Sequence, residues 1–408
     1  QFINSDHADM LDLAKRLGLK LIDRKAFGGR SLVFDPGKSN RGTYDQGRSV
    51  DDDALAAALA PLAAMIARDA AALEAQPDAA LARIDALSVS QYLDAAALPQ
   101  GQARSLIEMT IRAEFGQEPD EASAMELIWN LPAVPEGQPE VISSSDERFV
   151  LEGGSGTLID ALAAPLMERI HTGRALKSVK AEGKGVRLHF ASGEDVTADH
   201  VLITVPAPLL RTIDFFGLLP PVWQAYAAEI GCGRNEKLNA AYWGRPWEKV
   251  WGRGGEMFTL SGGCAEIWDA GTTTSQTGLL TYFMGGQQCS DAPLDDLGKL
   301  RFQLQPVAVS AVPELEKAAL PWQKRTAWSD DPFARGAYSC FKPGQLTRFS
   351  GLFWLEQAGK AQGRSGHVPA FGPLIFAGEH LSDAWPGYMN GALQTGRLAA
   401  AELIRAQA

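Results

Sequence analysis

The chain has 408 residues, 46% of them hydrophobic and 21% charged, with 38 basic against 49 acidic side chains and a net charge of −11. That length suggests two lobes, the composition is that of an ordinary soluble globular protein, and the acidic balance argues against a nucleic-acid partner. Cys232, Cys264, Cys289 and Cys340 are widely spaced, the six histidines show no H-x-x-x-H pair, and no run approaches the roughly 18 apolar residues of a membrane helix, so neither a disulfide framework, a metal site nor a membrane anchor is expected.

From Asp51 to about Gln117 the sequence is Ala-rich, with Leu55, Leu59, Leu62, Ile66 and Leu73 on one helical face, which reads as a helical insertion. Ser123, with Glu126 three residues on, has the pattern of a capping box opening another helix. Pro132 to Gln138 is a Pro-rich break. The pattern then changes to a Gly-rich turn at Gly153, Gly154 and Gly156, a helix, and strands at Ala175–Val179, Val186–Phe190 and Val201–Val205. The last of these is nearly all apolar, as expected of a strand buried on both faces. Between Pro221 and Ser329 helices alternate with longer strands, Lys237–Trp243 and Gly278–Met284 among them, which predicts a mixed sheet flooring a substrate chamber.

Near the C-terminus, Pro373–Ala377 is a short apolar run leading into Gly378, Glu379 and His380, a loop, and a helix predicted to start near Pro386. A strand, a Gly turn and a helix N-terminus together present backbone N–H groups to a polar cofactor edge or an anion. Ala392, Gly396 and Ala400 recur every four residues and leave one helix face nearly bare, suited to lying against a sheet or a flat ring.

This C-terminal segment resembles the flavin motif of the FAD-dependent amine oxidase family, which includes monoamine, polyamine and L-amino acid oxidases. The resemblance continues through Phe149–Thr157, Val201–Pro206, Lys237, Arg245–Trp247 and Trp328–Gly344, in the family's order. It implies a two-domain α/β fold with a discontinuous FAD-binding domain and a substrate domain built on a mixed sheet with a helical insertion. The expected division is a connecting segment at 1–50, substrate domain with the insertion at 51–145, FAD domain at 146–210, substrate domain at 211–330 and FAD domain again at 331–408. The implied reaction is oxidation of an amine or amino acid C–N bond by hydride transfer to flavin N5, hydrolysis of the imine, and reoxidation by O₂ to give H₂O₂.

Carried onto this sequence, the resemblance makes Lys237 the lysine that holds a water against flavin N5, and Tyr338 and Tyr388 the aromatic cage around the substrate amine. Trp385 and Trp247 become candidate ring-lining residues on opposite sides. On the cofactor side, Gly378 and Glu379 match contacts to the ribityl and pyrophosphate region, Met389 the helix start facing the flavin, and Leu176 the adenine contact. The cysteine that attaches flavin covalently in some relatives is replaced by Ala337, so non-covalent FAD is expected; Cys340 is read as packing.

One departure is large: no Gly-x-Gly-x-x-Gly turn occurs in the chain. The family pattern implies that roughly 60 to 70 residues precede Gln1, the length of a βαβ unit and its following loop. A separate N-terminal fragment and a homodimer are left open as partners. A soluble protein is expected, with the cytoplasm favoured and a periplasmic or secreted location left open, because any signal peptide would lie ahead of Gln1. The alternatives are a desaturase-type flavin oxidoreductase and a cofactor-free fragment or interaction protein. An amino acid substrate would require an arginine for its carboxylate, with Arg112, Arg234 and Arg335 as candidates.

Overall fold

An eight-stranded mixed sheet carries one half of the molecule. In spatial order its strands are Ala319–Arg325, Asn235–Trp243, Thr277–Gly285, Glu266–Asp269, Glu256–Thr259, Ser31–Phe34, Arg41–Asp45 and Arg48–Ser49. The computed structural model describes residues 2–35, 41–45, 48–49, 53–130, 145–271, 276–355 and 369–407. Neighbouring strands are antiparallel except for Glu256–Thr259 and Ser31–Phe34, which run parallel. The first fifty residues therefore do more than connect: they extend the sheet that floors the chamber.

The Ala-rich region folds as helices Asp53–Ala75, Pro77–Asp85, Val89–Ala95 and Gln102–Phe115. Leu55, Leu59, Leu62 and Ile66 are buried in the large apolar core as their spacing requires, and Leu73 packs against it. The capping box predicted at Ser123 and Glu126 does not close. Ser123 Oγ accepts from the Met125 N–H (3.2 Å) and donates to Asp85 (2.7 Å), while Glu126 accepts the Phe341 N–H (2.6 Å). A reciprocal box forms instead at Ser88 and Gln91, opening Val89–Ala95. The Pro132–Gln138 break lies outside the described residues.

In the other half, Val201–Ile203 pairs in parallel with Leu374–Phe376, which pairs with Ala370–Phe371. Leu374–Phe376 is fully buried; Val201–Ile203 forms the edge of this three-stranded sheet, and only Ile203 is buried, so the expected burial on both faces is not found. Leu176–Glu182, Gly185–Phe190 and Asp195–Ala198 make a separate antiparallel sheet. The C-terminal helix is Met389–Gln407, three residues later than predicted at Pro386. Its buried face carries Asn390, Gly391, Gln394, Thr395 and Ala399. Ala392 and Ala400 are exposed and nothing lies within 4 Å of a Cβ built on Gly396, so the bare face points outward rather than onto a sheet. All four cysteines are free, and among the described residues no helix is long and apolar enough to cross a membrane.

Candidate active site

Strand alternation sorts the side chains of the large sheet. Leu238, Tyr282, Ile267 and Met257 enter an apolar core on one face. The residues between them point to the other face, into a pocket. Register sets Lys237 opposite Phe283 and Phe283 opposite Glu266, so that these three side chains form one row across three strands; Trp268 and Glu256 pair in a second row.

Lys237, Phe283, Glu266 and Trp268 line that pocket together with Tyr338 and Tyr388, while Glu114, from helix Gln102–Phe115, and Glu147 close its side. The Lys237 ammonium lies 4.9 Å from the Phe283 ring centroid and 5.1 Å from that of Trp268. Burial lowers its pKa below the ordinary lysine value, an effect opposed by Glu147 and Glu266. Its backbone N–H donates to Thr326 Oγ1 (2.8 Å), whose hydroxyl donates to the buried Glu236 (2.6 Å).

The two tyrosines enter from separate loops. Tyr338 donates its hydroxyl to the Ala113 carbonyl (3.1 Å), and Tyr388 hydrogen-bonds the Ser145 side chain. Burial raises both phenol pKa values, so both rings are neutral at physiological pH. The loops are joined by Glu379, whose carboxylate accepts the Ser339 N–H (3.0 Å), the Ser339 hydroxyl (2.7 Å) and the Gly387 N–H (2.6 Å). In this structure both carboxylate oxygens of Glu379 brace the cage.

Trp385 stands edge-on to Tyr388, with the His7 ring within 4.9 Å of one and 5.0 Å of the other. Trp247, expected on the opposite side, is not in the pocket wall. It is fully buried against Tyr242 in the core beneath the sheet, because the Arg-Pro-Trp segment forms a 3₁₀ turn on that face. Met389 packs against the N-terminal cluster of Ile3, Met10 and Leu13, and Asn390 Oδ1 accepts the Met10 N–H (3.0 Å). Leu176 opens its strand opposite Phe190, outside the pocket wall.

Several features fit a flat polar cofactor. His7 is buried, its Nε2 has no hydrogen-bond partner among the described residues, and its pKa is lowered by burial, which leaves a neutral polar atom beside Tyr388 and Trp385. A Cβ on Gly378 would lie 2.4 Å from the His380 ring and one on Gly391 2.1 Å from the Trp385 carbonyl, so the chain at the strand-to-helix junction is kept bare by necessity.

Glu114, Glu147, Glu266 and His7 were not singled out from the sequence. Glu266 is, like Lys237, an ionisable residue inside an apolar run (Cys264-Ala-Glu-Ile-Trp268), a signal the sequence does offer. Glu147 had a backbone signal only in three dimensions: its φ of 44° is in the left-handed region, held there by Asn4, which accepts its N–H (3.1 Å), and Arg24, which donates to its carbonyl (3.0 Å). Arg112 pairs with Glu118, Arg234 bonds Ser290, and neither they nor Arg335 line the pocket.

A family model described as flavin containing amine oxidoreductase matches residues 1–404. A flavin-containing amine oxidase of Danio rerio is 24% identical over 312 residues, covering 74% of this chain and 56% of its own length. The curated relatives compared are spanned over only 51% to 62% of their length. Among solved structures, a double mutant of putrescine oxidase redesigned in cofactor binding superposes with a TM-score of 0.82 at 20% identity, and cyclohexylamine oxidase from Brevibacterium oxydans IH-35A with 0.79 at 19%. These cover 99% and 100% of this chain and 87% of their own, and they establish the two-domain α/β fold.

Proposed function

Because the chain belongs to the flavin-containing amine oxidoreductase family, we propose that it serves the oxidation of an amine C–N bond with FAD held non-covalently as cofactor and O₂ as electron acceptor. The observation that carries this reading is the convergence of Lys237, Tyr338 and Tyr388 on one pocket. When bound, the flavin supplies the two-electron acceptor for the C–H bond beside the nitrogen.

The chain's own residues supply position and exclusion. His7, Gly378 and the start of helix Met389–Gln407 would hold the cofactor edge, with Glu379 fixing the loop between them. Tyr338 and Tyr388 present neutral ring faces that orient a neutral amine and attract its cationic form. Lys237, with its proton loosened by burial, holds a water or moves a proton at Nζ. Phe283 and Trp268 keep bulk water from that nitrogen. No side chain has to act as a strong base when the substrate binds as the neutral amine, and positioning does the remaining work.

The test is a visible absorption spectrum of the purified protein followed by anaerobic addition of amines and L-amino acids, then H₂O₂ detection on admitting air. Flavin absorbance bleached by amines supports the reading; a flavin spectrum that no amine or amino acid bleaches overturns it.

A further inference from the structure

Asn235 is 3% exposed and lies outside the pocket wall, yet its side chain joins elements that build that wall. It stands two residues before Lys237 on the same strand, so both side chains leave the pocket face of the sheet. Its Nδ2 donates towards three carbonyls: Ala113 (3.1 Å) and Arg112 (3.3 Å) at the end of helix Gln102–Phe115, and Met284 (3.4 Å) on the neighbouring strand. Three acceptors around one nitrogen fix which end of the amide faces the helix.

The chain makes room for this side chain on two sides. Gly116 ends the helix with a φ of 62°, and a Cβ there would lie 2.2 Å from Asn235 Oδ1. Gly285 pairs with Asn235 in register, and a Cβ there would lie 1.7 Å from the Arg112 carbonyl oxygen. The helix end therefore seats directly on the strand pair, and the Asn235 amide bonds the two. Ala113 is where this junction meets the pocket. Its carbonyl belongs to the last helical turn, whose acceptors the helix cannot satisfy by itself. Asn235 Nδ2 reaches it from the sheet and the Tyr338 hydroxyl from the pocket, each at 3.1 Å, so both lone pairs of the oxygen are engaged. Ala113, Glu114 and Phe115 line the pocket, as do Lys237 and Tyr338.

We propose that Asn235 is a positioning residue for the oxidation: by holding the Ala113 carbonyl to the strand of Lys237, it sets where the Tyr338 ring stands relative to Lys237 Nζ. This rests on the amine-oxidation reading of the same pocket. The Tyr338 backbone is held independently, since the Gly233 N–H donates to its carbonyl (3.0 Å) and Ser339 is bound to Glu379. The Ala113 bond controls the far end of the ring. Without Asn235 the helix end is released from the strand, and the hydroxyl, still bonded to Ala113, draws the ring with it. Removing the hydroxyl as well frees the ring from the helix end and leaves it where its own backbone and Glu379 place it.

The experiment is a double-mutant cycle on the purified flavin-loaded protein, with Asn235→Ala, Tyr338→Phe and the pair, reading kcat and KM on the best amine by H₂O₂ release. Asn235→Ala is expected to lower kcat by about tenfold, within the scale of a displaced reacting geometry, with KM changed by less than about threefold. Adding Tyr338→Phe should return most of that loss, so that the double variant turns over faster than Asn235→Ala alone. A residue serving the fold alone would lower kcat by the same factor in both backgrounds. That result, or wild-type kcat in a folded Asn235→Ala protein, overturns the positioning role alone. The flavin spectrum reports folding; if Asn235→Ala does not retain flavin, Asn235→Ser, which keeps one donor, is judged by the same comparison. A flavin-loaded wild type that oxidises no amine overturns the amine-oxidation reading and the positioning role with it.

Discussion

Glu379 receives both the backbone N–H and the hydroxyl of Ser339, at 3.0 and 2.7 Å, and Ser339 is the residue that follows Tyr338. A third bond from the Gly387 N–H fixes the residue before Tyr388. One half-buried carboxylate thus sets the separation of two rings that enter from different loops. Glu379→Ala strands these buried donors, each worth about 1–3 kcal/mol, and should lower the unfolding midpoint in urea clearly. Glu379→Gln retains an acceptor and should lose less stability. A Glu379→Ala protein as stable as wild type would rule out the clamp.

The two halves of a tyrosine can be separated at Tyr338. Its hydroxyl anchors to Ala113, whereas its ring face is the proposed contact with the amine. Tyr338→Phe should cost about 1 kcal/mol of stability with a modest change in kcat/KM. Tyr338→Leu removes the quadrupole and should lower kcat/KM by tenfold or more. Steady-state kinetics on the best amine compares the two, and equal loss in both variants would argue that the ring face is idle.

Lys237→Met keeps the length of the side chain in a wall formed by Phe283 and Trp268 and removes the nitrogen. Turnover should fall by about 10²-fold, the scale of a positioned proton carrier, while the flavin spectrum stays that of the wild type. Rapid mixing with substrate and then with O₂ tells which half-reaction is slowed. An unchanged rate in both halves would remove Lys237 from the chemistry.

Two buried groups give stability opposite pH dependences. His380 is lowered to about 4 by burial, so between there and the unfolded value near 6.5 the unfolded chain takes up a proton that the native one refuses; its contribution is present above about 6.5 and is lost as pH falls. Glu126 is pushed up to about 8 by burial, so the native state holds the extra proton, and its contribution is present below about 4.5 and is lost as pH rises through 8. Urea midpoints measured from pH 5 to 9 should show the alkaline slope flattened in Glu126→Gln and the acid slope flattened in His380→Gln. Each effect is on the order of a few kcal/mol. A Glu126→Gln protein with the wild-type alkaline slope would refute the assignment.

Legibility in the sequence followed the range of the interaction. Local patterns served well for the helices at Asp53–Ala75 and Gln102–Phe115 and for the strand Leu374–Phe376, where period and burial agree. Lys237 was named through the family resemblance, because a lysine in an apolar strand reads by itself as readily as a solvated strand-edge residue. Glu147 and His7 were invisible because they reach the pocket only through tertiary contacts with Arg24, Tyr388 and Trp385. Trp247 was misplaced because nothing in an Arg-Pro-Trp turn tells which face of the sheet it will cover. The small residues of the last helix were read as a packing face, yet spacing alone does not say whether a neighbour lies against it.

The row formed by Lys237, Phe283 and Glu266 behaves as a ruler with fixed graduations. Hydrogen-bonded strands cannot slide by fractions of a residue, and a slip of one residue would turn each of these side chains into the apolar core below. The distance between the basic and acidic ends of the pocket is therefore not adjustable by small backbone drift. A change in the length of molecule accepted has to come from exchanging side chains at set stations, which makes positions 266 and 283 the points at which selectivity would be rewritten.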